Sequence, residues 1–519
     1  MVSMTAARVT RRGVIAGAGA LTLAACGGGD EAPDGLLRAA LDTEPDSLDP
    51  LKGQFASAAL MYKQLHAPLT EYGPSGGLAP GLAQSWRSGD AMRWVFRLRP
   101  GLVWSDGAAL TADDVVWTAR RAVDPMTGFA DLGDFYAVAG AEAALAGERA
   151  PETIGVTAPD PLTVVFQLDR PVGAFPVLMR EFYPLPRHAV EAEPEDWTRP
   201  EHWVSAGPYV LARRSALAYE LAANPRFHAA GSVSIPTARV SVVEDAATRA
   251  RMFRAGDLDL ADRPPPDQIG FLRERLGDRL KSWPAPILTY LKVNARKPGL
   301  SDPRVRRALS LAIDRRFLDE RFFNGEAAPS AHVIPDADRE PPQPDTAQAA
   351  ALLSEAGFGE DRRLRVTLRA TAGGRERLAV AIADDLERAG IACEILATYP
   401  VDLYQSVDGG DFDLALSRFD RGLKAEPDFM VQPFARGGFA DDSGWDGPER
   451  ERFDALMREA RGRLDADARA ALHAEAEAIL LEAQAVIALL HERAYWMVSD
   501  RVELEGPLQP QLWRDLSLG

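Results

Sequence analysis

The chain has 519 residues, and a chain of this length folds into two or more domains rather than around one core. Its composition is that of a globular protein, with 46% hydrophobic and 26% charged residues, and its 38 prolines favour an architecture rich in loops. The formal net charge of -17 argues against a nucleic-acid partner.

The first 25 residues have the pattern of a bacterial signal peptide. A basic start is followed by a small, apolar stretch over 13–23 that is too short to cross a bilayer. The sequence Leu23-Ala24-Ala25-Cys26 then matches a lipobox, which predicts cleavage before Cys26 and attachment of diacylglycerol to its sulfur. Residues 26–35 are predicted to be a flexible tether. The alternative is an ordinary secretory leader in which Cys26 occurs by chance.

Residues 37–69 are predicted to form a strand, a turn and a helix. Leu37 to Leu41 is predicted to be a short strand, and it leads into the turn sequence SLDP at 47–50. An amphipathic helix is predicted from Leu60 to Leu69.

A β-rich unit with one capped helix is predicted after this. Residues 93–99 alternate between apolar and polar types, which is the period of a half-buried strand, and residues 102–104 are predicted to form a short return strand. Thr111 is a good helix N-cap, and Asp114 stands three residues later as in a capping box. A β-hairpin is predicted over residues 154–168.

The second half of the chain alternates strands and helices. A strand is predicted at 288–294, and Asp302 is predicted to cap a helix that has Pro303 at its first position, where the missing N–H costs nothing. Strands at 364–368 and 391–396 flank a helix at 376–389, which predicts a right-handed βαβ unit. Two further helices are predicted at 452–461 and 468–483, followed by short strands.

Several phrases inside these elements resemble a known family. The order LAQSW, FRLRPGLVWSDG and LTADDV between residues 82 and 115 is similar to the extracytoplasmic peptide-binding proteins of ABC importers, and their oligopeptide-binding branch is the nearest match. SLDP at 47–50 and DPRVRRALS at 302–310 resemble two more phrases of this family. The resemblance implies an α/β, two-lobed periplasmic-binding-protein fold of type II, cluster C, with an extra inserted subdomain and a ligand cleft between the lobes.

The resemblance also implies a division of the chain. Lobe 1 is expected to combine residues 36–70, 204–290 and 499–519. An inserted β-rich subdomain over 71–203 is expected to belong to this lobe, and lobe 2 is expected to span 291–498.

Ligand contacts are implied position by position, and ordinary packing is the alternative for each of them. The implied contacts lie after the SLDP turn, near the lobe crossing, at a cleft tryptophan position and its neighbour, and at a cleft tyrosine position in the final strand. In that order they are Gln54, Phe55 and Ala56, then Asn294, then Phe419 and Asp420, then His491.

One residue of the family pattern is absent. Peptide binders of this branch carry an aspartate shortly after the cleft tryptophan, where it pairs with the α-ammonium group of the peptide. Here Leu423 or Gly422 holds that position, and Asp420 can replace it only if the loop has rearranged. Arg421 and Lys424 instead favour an anionic ligand, unless they are solvated loop charges.

The functional expectation is a monomeric, extracytoplasmic lipoprotein that captures oligopeptides and delivers them to the permease subunits and ATPases of an ABC importer. No nucleophile elbow, zinc-protease motif or phosphate loop occurs in the chain, so no catalytic residue, metal or cofactor is expected. The alternatives are transport of a non-peptide solute, such as a metal chelate, a modified sugar or another small anion, an extracytoplasmic hydrolase, and a receptor or adhesion lipoprotein.

Overall fold

The computed structural model describes residues 35–73, 76–127, 135, 137–336, 340–504 and 511–519. The predicted leader over 1–25, Cys26 and all but the last residue of the predicted tether lie outside the described residues. Within these ranges, no helix has both the length and the apolar character that crossing a bilayer requires.

The described residues form strands and helices in alternating groups. The strands are β1 (Leu36–Leu41), β2 (Thr70–Tyr72), β3 (Leu78–Pro80), β4 (Ala83–Arg87), β5 (Arg93–Leu98), β6 (Val156–Asp160), β7 (Thr163–Gln167), β8 (Tyr209–Arg214), β9 (Ala218–Ala223), β10 (Thr237–Val242), β11 (Leu260–Asp262), β12 (Leu280–Val293), β13 (Ala328–Pro329), β14 (Arg365–Thr371), β15 (Ala392–Thr398), β16 (Leu414–Asp420), β17 (Val486–Val498), β18 (Val502–Leu504) and β19 (Leu516–Leu518). The helices are α1 (Ala56–Leu65), α2 (Ala112–Ala122), α3 (Ala141–Leu145), α4 (Phe175–Leu178), α5 (Arg187–Ala192), α6 (Ala246–Ala255), α7 (Ile269–Leu276), α8 (Pro303–Ala312), α9 (Arg315–Phe322), α10 (Thr346–Glu355), α11 (Gly374–Arg388), α12 (Pro400–Asp408), α13 (Pro427–Val431), α14 (Pro448–Gly462) and α15 (Ala466–Glu482).

One large sheet runs through both lobes. Its strand order is β15-β14-β16-β12-β17-β11-β1-β10-β9-β8, and β13 pairs with β17 beside this path. We refer to the half from β11 to β8 as the lobe 1 half and to the half from β15 to β16 as the lobe 2 half. A separate four-stranded sheet, β4-β5-β7-β6, builds the inserted subdomain. The expected two-lobed fold of type II is therefore confirmed.

The two lobes are joined by β12 and β17, which pair with each other along most of their length. Near its start, β12 pairs with the end of β17 in lobe 1, from Leu280 opposite Met497 to Pro284 opposite Arg493. The register then shifts before Leu288 pairs with His491 in lobe 2. Three residues of β12 face a single residue of β17 at this bulge, so the ladder is interrupted where the chain passes between the lobes.

Each unit buries a core of its own. The largest clusters of buried apolar side chains lie under the four-stranded sheet, beneath the lobe 1 half of the large sheet, and between the lobe 2 half and its helices. Representative members are Trp94, Phe96 and Trp104 in the subdomain, Leu37, Tyr209 and Trp513 in lobe 1, and Leu291, Leu368 and Ile382 in lobe 2.

The subdomain follows the sequence prediction in most of its parts. The predicted strand at 93–99 is β5, and the predicted helix is α2, where the Asp114 carboxylate accepts the Thr111 N–H at 2.9 Å. The predicted return strand at 102–104 is wrong, because only Val103 forms a bridge, to Ala109. The chain reverses direction in the turn directly after Trp104, so a longer ladder of paired strand residues does not form.

Helix α1 begins and ends about four residues earlier than the predicted helix. The Asp46 carboxylate accepts the backbone N–H groups of Gln54 at 2.7 Å and Phe55 at 3.2 Å, which fixes the loop from which the helix starts. The helix stops at Leu65, shortly before Pro68, since a proline disfavours helical geometry in the residue before it.

The predicted βαβ unit and the predicted capped helix of lobe 2 are both confirmed. Strands β14 and β15 pair in parallel and are connected by α11. Helix α8 starts at Pro303, and the Asp302 carboxylate accepts the backbone N–H of Arg304 at 2.9 Å.

The contribution of Asp302 to the stability of helix α8 can be tested by substitution. Asp302→Ala removes the acceptor of a helix-terminal N–H and is expected to lower the free energy of unfolding by about 1 kcal/mol. Asp302→Asn, which can still accept this bond, is expected to lose clearly less. Scanning calorimetry of both variants checks the difference, and equal melting temperatures for the two variants would contradict the capping role.

Candidate ligand-binding site

Two adjoining cavities lie between the lobes. Cavity A has a volume of about 1070 Å³ and is lined by α1, the subdomain and the segment of lobe 2 after β16. Cavity B has a volume of about 610 Å³ and is lined by lobe 1, the crossing strands and lobe 2. Gln54, Ala59 and Lys63 line both cavities, so α1 and the loop before it form their common wall. Together they have room for a ligand of several residues.

The interrupted ladder forms one wall of cavity B. Ala285 and Ile287 of the β12 bulge line this cavity together with neighbouring residues of β17. Arg418 crosses from β16 to β17, donating to Glu492 at 3.1 Å and to Asp420 at 3.4 Å. The cavity therefore lies against the bulge at which the chain passes between the lobes.

Asp262 of β11 places a weakly partnered carboxylate on the wall of cavity B. Burial raises the pKa of Asp262 to about 6, although the positive charge of Arg263 opposes the shift. The Arg263 side chain donates to Asp42 at 2.6 Å and lies 3.8 Å from Asp262. One buried oxygen of Asp262 has no hydrogen-bond partner among the described residues. A cationic group of a ligand could occupy that position.

Four of the predicted contact residues lie on these walls. Gln54, Phe55 and Ala56 are exposed at the start of α1 and line cavity B, and Gln54 also lines cavity A. Asp420 lines cavity B from the opposite lobe, where its carboxylate accepts the Gly422 N–H at 2.9 Å. The structure thus brings the segment after the SLDP turn to face the end of β16 across the cleft.

The other three predicted residues lie in lobe 2 and do not line either cavity. Phe419 is buried against Tyr290 and Phe434. Both side-chain N–H bonds of Asn294 go to backbone carbonyls of the loop before β16. His491 is buried, its Nε2 lies 2.9 Å from the His332 carbonyl oxygen, and burial lowers its pKa to about 4. These side chains pack or bond within lobe 2, so their contact with a ligand stays a prediction.

A charged cluster stands on the wall of cavity A. The Lys424 ammonium of lobe 2 pairs with the Glu181 carboxylate of the subdomain at 2.5 Å. Burial alone would raise the pKa of Glu181, but the positive charges of Lys424 and Lys63 hold it below its ordinary value. Burial lowers the pKa of Lys63; Glu181 opposes this shift and Lys424 adds to it.

The subdomain also touches lobe 2 directly beside this cluster. Arg180 pairs with Glu426, and the Gly173 N–H donates to the Arg461 carbonyl oxygen at 2.7 Å. Val177 packs against Phe429 in a small apolar cluster that both units share. The two lobes are therefore in contact at a point away from the crossing strands.

Sequence reasoning missed the most informative side chains of cavity A. Lys63 lies inside a helix, and Arg170 and Glu181 lie in segments without any motif. None of them has a local pattern that distinguishes it from a surface charge, since only the fold brings positions 63, 170, 181 and 424 together.

Within the ranges that the structure describes, no group of three or more histidine, cysteine, aspartate or glutamate side chains could hold a metal ion.

Comparisons with known proteins agree with this architecture. A family model described as bacterial extracellular solute-binding proteins, family 5 Middle, matches residues 77–441. The chain is 32% identical over 361 residues to the periplasmic murein peptide-binding protein MppA of Escherichia coli K12, and the alignment covers 66% of each protein. It is 30% identical over 355 residues to the probable deoxycholate-binding periplasmic protein YgiS of the same organism, covering 65% of this chain and 66% of YgiS. The chain thus spans about two thirds of the length of these relatives.

A solved structure extends the likeness to almost the whole chain. The unliganded open form of MppA superposes with a TM-score of 0.81 at 25% identity, covering 94% of this chain and 98% of that one. A second structure of MppA, from Escherichia coli, gives a TM-score of 0.73. The present structure thus superposes better on the unliganded open form than on this second structure.

The contact at Gly173 can be opened by one substitution. A Cβ atom at this residue would overlap the carbonyl group of Arg463, so Gly173→Ala is expected to separate the subdomain from lobe 2. Amide hydrogen exchange is expected to become faster over 174–181 and 424–430 and to stay unchanged in β12 and β17.

Gly89→Ala is the matched control for this test, because a Cβ at Gly89 of the subdomain meets no heavy atom within 4 Å. If the two variants exchange alike over both segments, the contact does not hold the two units together.

Proposed function

Because the chain belongs to family 5 of the bacterial extracellular solute-binding proteins, we propose that it is the binding component of an ABC importer and captures oligopeptides in its interlobe cleft. This family consists of solute-binding proteins and not of enzymes. The observation that carries the proposal is the pair of adjoining cavities between the lobes, which share α1 and the loop before it as a wall. MppA, a relative at 32% identity, is named as a peptide-binding protein, which supports a peptide as the ligand.

The ligand binds as an extended chain between the two lobes. The segment Gln54 to Ala56 faces the end of β16, so a peptide placed between them lies beside a strand end and an exposed loop. In this kind of recognition, the protein forms hydrogen bonds with the backbone of the peptide, and the side chains of the peptide occupy wide pockets. The size of the two cavities suits such a ligand.

Closure of the lobes accompanies binding. A ligand that touches both lobes binds the closed arrangement better than the open one and shifts the population towards it. The lobes turn at the bulge of β12 between Pro284 and Leu288, where the ladder is already interrupted. The closed protein then delivers its ligand to the permease subunits, and the partner ATPases drive import.

The α-ammonium group of the peptide binds at Asp262. The usual aspartate of the family is replaced, since Leu423 or Gly422 stands at its position. Of the three carboxylates that line cavity B, those of Asp420 and Glu492 accept hydrogen bonds from Arg418, whereas one buried oxygen of Asp262 has no partner among the described residues. Asp262 is thus the carboxylate that gains most from a ligand ammonium group.

The location of the protein is part of the same proposal. The mature protein begins at Cys26, is held outside the cytoplasm by a lipid on that cysteine, and acts as a monomer. The subdomain over 71–203 belongs with lobe 1. The second lobe follows the expected span of 291–498 except at the crossing strands, where the change of lobe falls between Pro284 and Leu288 in β12 and between Arg493 and His491 in β17.

A second candidate function is transport of a non-peptide solute. The missing aspartate near Phe419 favours it, because this residue is what the family's peptide binders use to hold an amine. YgiS, the relative at 30% identity, is named as a probable deoxycholate-binding protein, so relatives of similar distance carry names with different solutes.

Native mass spectrometry separates the two candidates. The full chain with Cys26→Ser, which cannot be lipidated, is measured before and after mild denaturation. Intact peptides of two to five residues released from the protein support peptide binding, and a single non-peptide mass supports the second candidate. An empty protein that also shows no thermal shift with peptide mixtures contradicts the peptide proposal.

The role of Asp262 predicts a pH dependence of peptide binding. Its pKa of about 6 means that the carboxylate is mostly protonated at pH 5 and mostly ionised at pH 7. Affinity for a tripeptide with a free amine is therefore expected to rise about tenfold between these pH values. Isothermal titration calorimetry at both pH values measures the effect.

Two controls separate Asp262 from other titrating groups. The N-acetylated form of the same tripeptide is expected to bind equally at both pH values, and Asp262→Asn is expected to abolish the pH dependence for the free amine. If the variant keeps the wild-type pH dependence, Asp262 is not the amine partner.

A further inference from the structure

Cavity A carries a charge opposite to that of the whole chain. Its wall contains the carboxylates of Glu142 and Glu181 and six cationic side chains, which are Lys63, Arg170, Arg421, Lys424, Arg436 and Arg461. The whole chain, in contrast, has a formal net charge of -17. A concave site lined mainly by one sign of charge concentrates the electric field and attracts ligands of the other sign.

Two of these six cations have no carboxylate in direct contact. Neither Lys63 nor Arg170 forms an ion pair with any carboxylate in the described part of the chain. The Nε of Arg170 is buried and has no hydrogen-bond partner there. Glu181 acts on Lys63 through space and not by a direct ion pair. A ligand carboxylate in direct contact would therefore stabilise the charge of either half-buried cation.

The other cations of this wall already interact with the protein. Lys424 pairs with Glu181 at 2.5 Å, and Arg436 pairs with Asp454 at 3.2 Å. The Arg421 guanidinium lies over the rings of Phe429 and Phe439. Lys63 and Arg170, which approach the cavity from α1 and from the subdomain, are therefore the cations that a ligand carboxylate can pair with at least cost.

We propose that cavity A receives the anionic part of the ligand, and that the preferred ligands are acidic peptides whose carboxylates reach Lys63 and Arg170. This inference rests on the proposed function, because it assigns a ligand class to the same cleft. Lys63 lines both cavities, so a peptide whose amine lies at Asp262 in cavity B passes Lys63 on its way into cavity A. The amine end of the peptide lies in cavity B, and the carboxylate end and acidic side chains lie in cavity A.

Three matched tripeptides test the ligand class. The full chain with Cys26→Ser is titrated calorimetrically with Ala-Ala-Ala, Ala-Glu-Glu and Ala-Lys-Lys at low ionic strength. The acidic peptide is expected to bind about tenfold or more tightly than the neutral one, and the basic peptide is expected to bind most weakly. Added salt is expected to reduce the preference for the acidic peptide, because it screens the cations of the cavity.

Single substitutions test the two residues. Lys63→Gln and Arg170→Gln are each expected to remove several-fold of the preference for Ala-Glu-Glu over Ala-Ala-Ala. The neutral peptide, which brings only its C-terminal carboxylate to cavity A, is expected to lose less affinity than the acidic one. Lys52→Gln and Arg93→Gln are the matched controls, because these exposed residues lie outside both cavities and change the net charge equally. Melting temperatures confirm that all four variants fold.

The outcomes distinguish this inference from the function on which it rests. Equal binding of the three peptides, or tightest binding of the basic one, overturns the acidic preference and leaves peptide capture intact. An acidic preference that survives both Lys63→Gln and Arg170→Gln contradicts its assignment to cavity A. If none of the three peptides binds, the proposed peptide function fails, and the inference fails with it.

Discussion

The backbone hydrogen bonds between β12 and β17 hold both lobes, because each of these strands gives one part of its length to lobe 1 and another part to lobe 2. On one side, β11 adds to β17 and continues into the parallel pair of β1 and β10. On the other side, β16 adds to β12 and continues into the βαβ unit of lobe 2. The strands and helices that add to each side of the β12–β17 pair form the two lobes. The cleft is the space between these lobes.

The charges of the cleft depend on this arrangement. Lys63 comes from lobe 1, Arg170 and Glu181 from the subdomain, and Lys424 from lobe 2. Nothing in the local sequence distinguishes these residues from other charged residues. Their burial and their charged neighbours come from segments that lie far away in sequence. Burial between low-dielectric walls strengthens these interactions relative to water. A strongly acidic protein can thus present a locally cationic cavity.

The sequence predicts the elements whose signals are local. The cap at Asp302, the capping box of Thr111 and Asp114, and the alternation around Trp94 and Phe96 all lie within a few residues of the element that they specify. The start of α1 was not predictable in the same way, because Asp46 fixes it from outside the helical period.

The site was predictable only in part, for a related reason. Gln54, Phe55 and Ala56 could be named because they follow a phrase that the family shares. No family motif surrounds Lys63 or Arg170. Only the tertiary fold brings these two residues to the same cavity. Phe419 stands at a position with a family counterpart, yet its ring is buried within lobe 2.

The bulge between Pro284 and Leu288 has a consequence for how this scaffold diversifies. Pro284 and Pro286 have no N–H to donate, and the ladder is already open at this point, so rotation of one lobe sacrifices few backbone bonds there. On the proposed closure at this bulge, the backbone ladder adds little to the free-energy difference between lobe arrangements, and the side chains on the facing walls contribute more. Ala285 and Ile287 belong both to the bulge and to the wall of cavity B, but most residues that line the two cavities lie outside the bulge. During evolution, such a protein can change its ligand specificity while the strands that join its lobes stay the same.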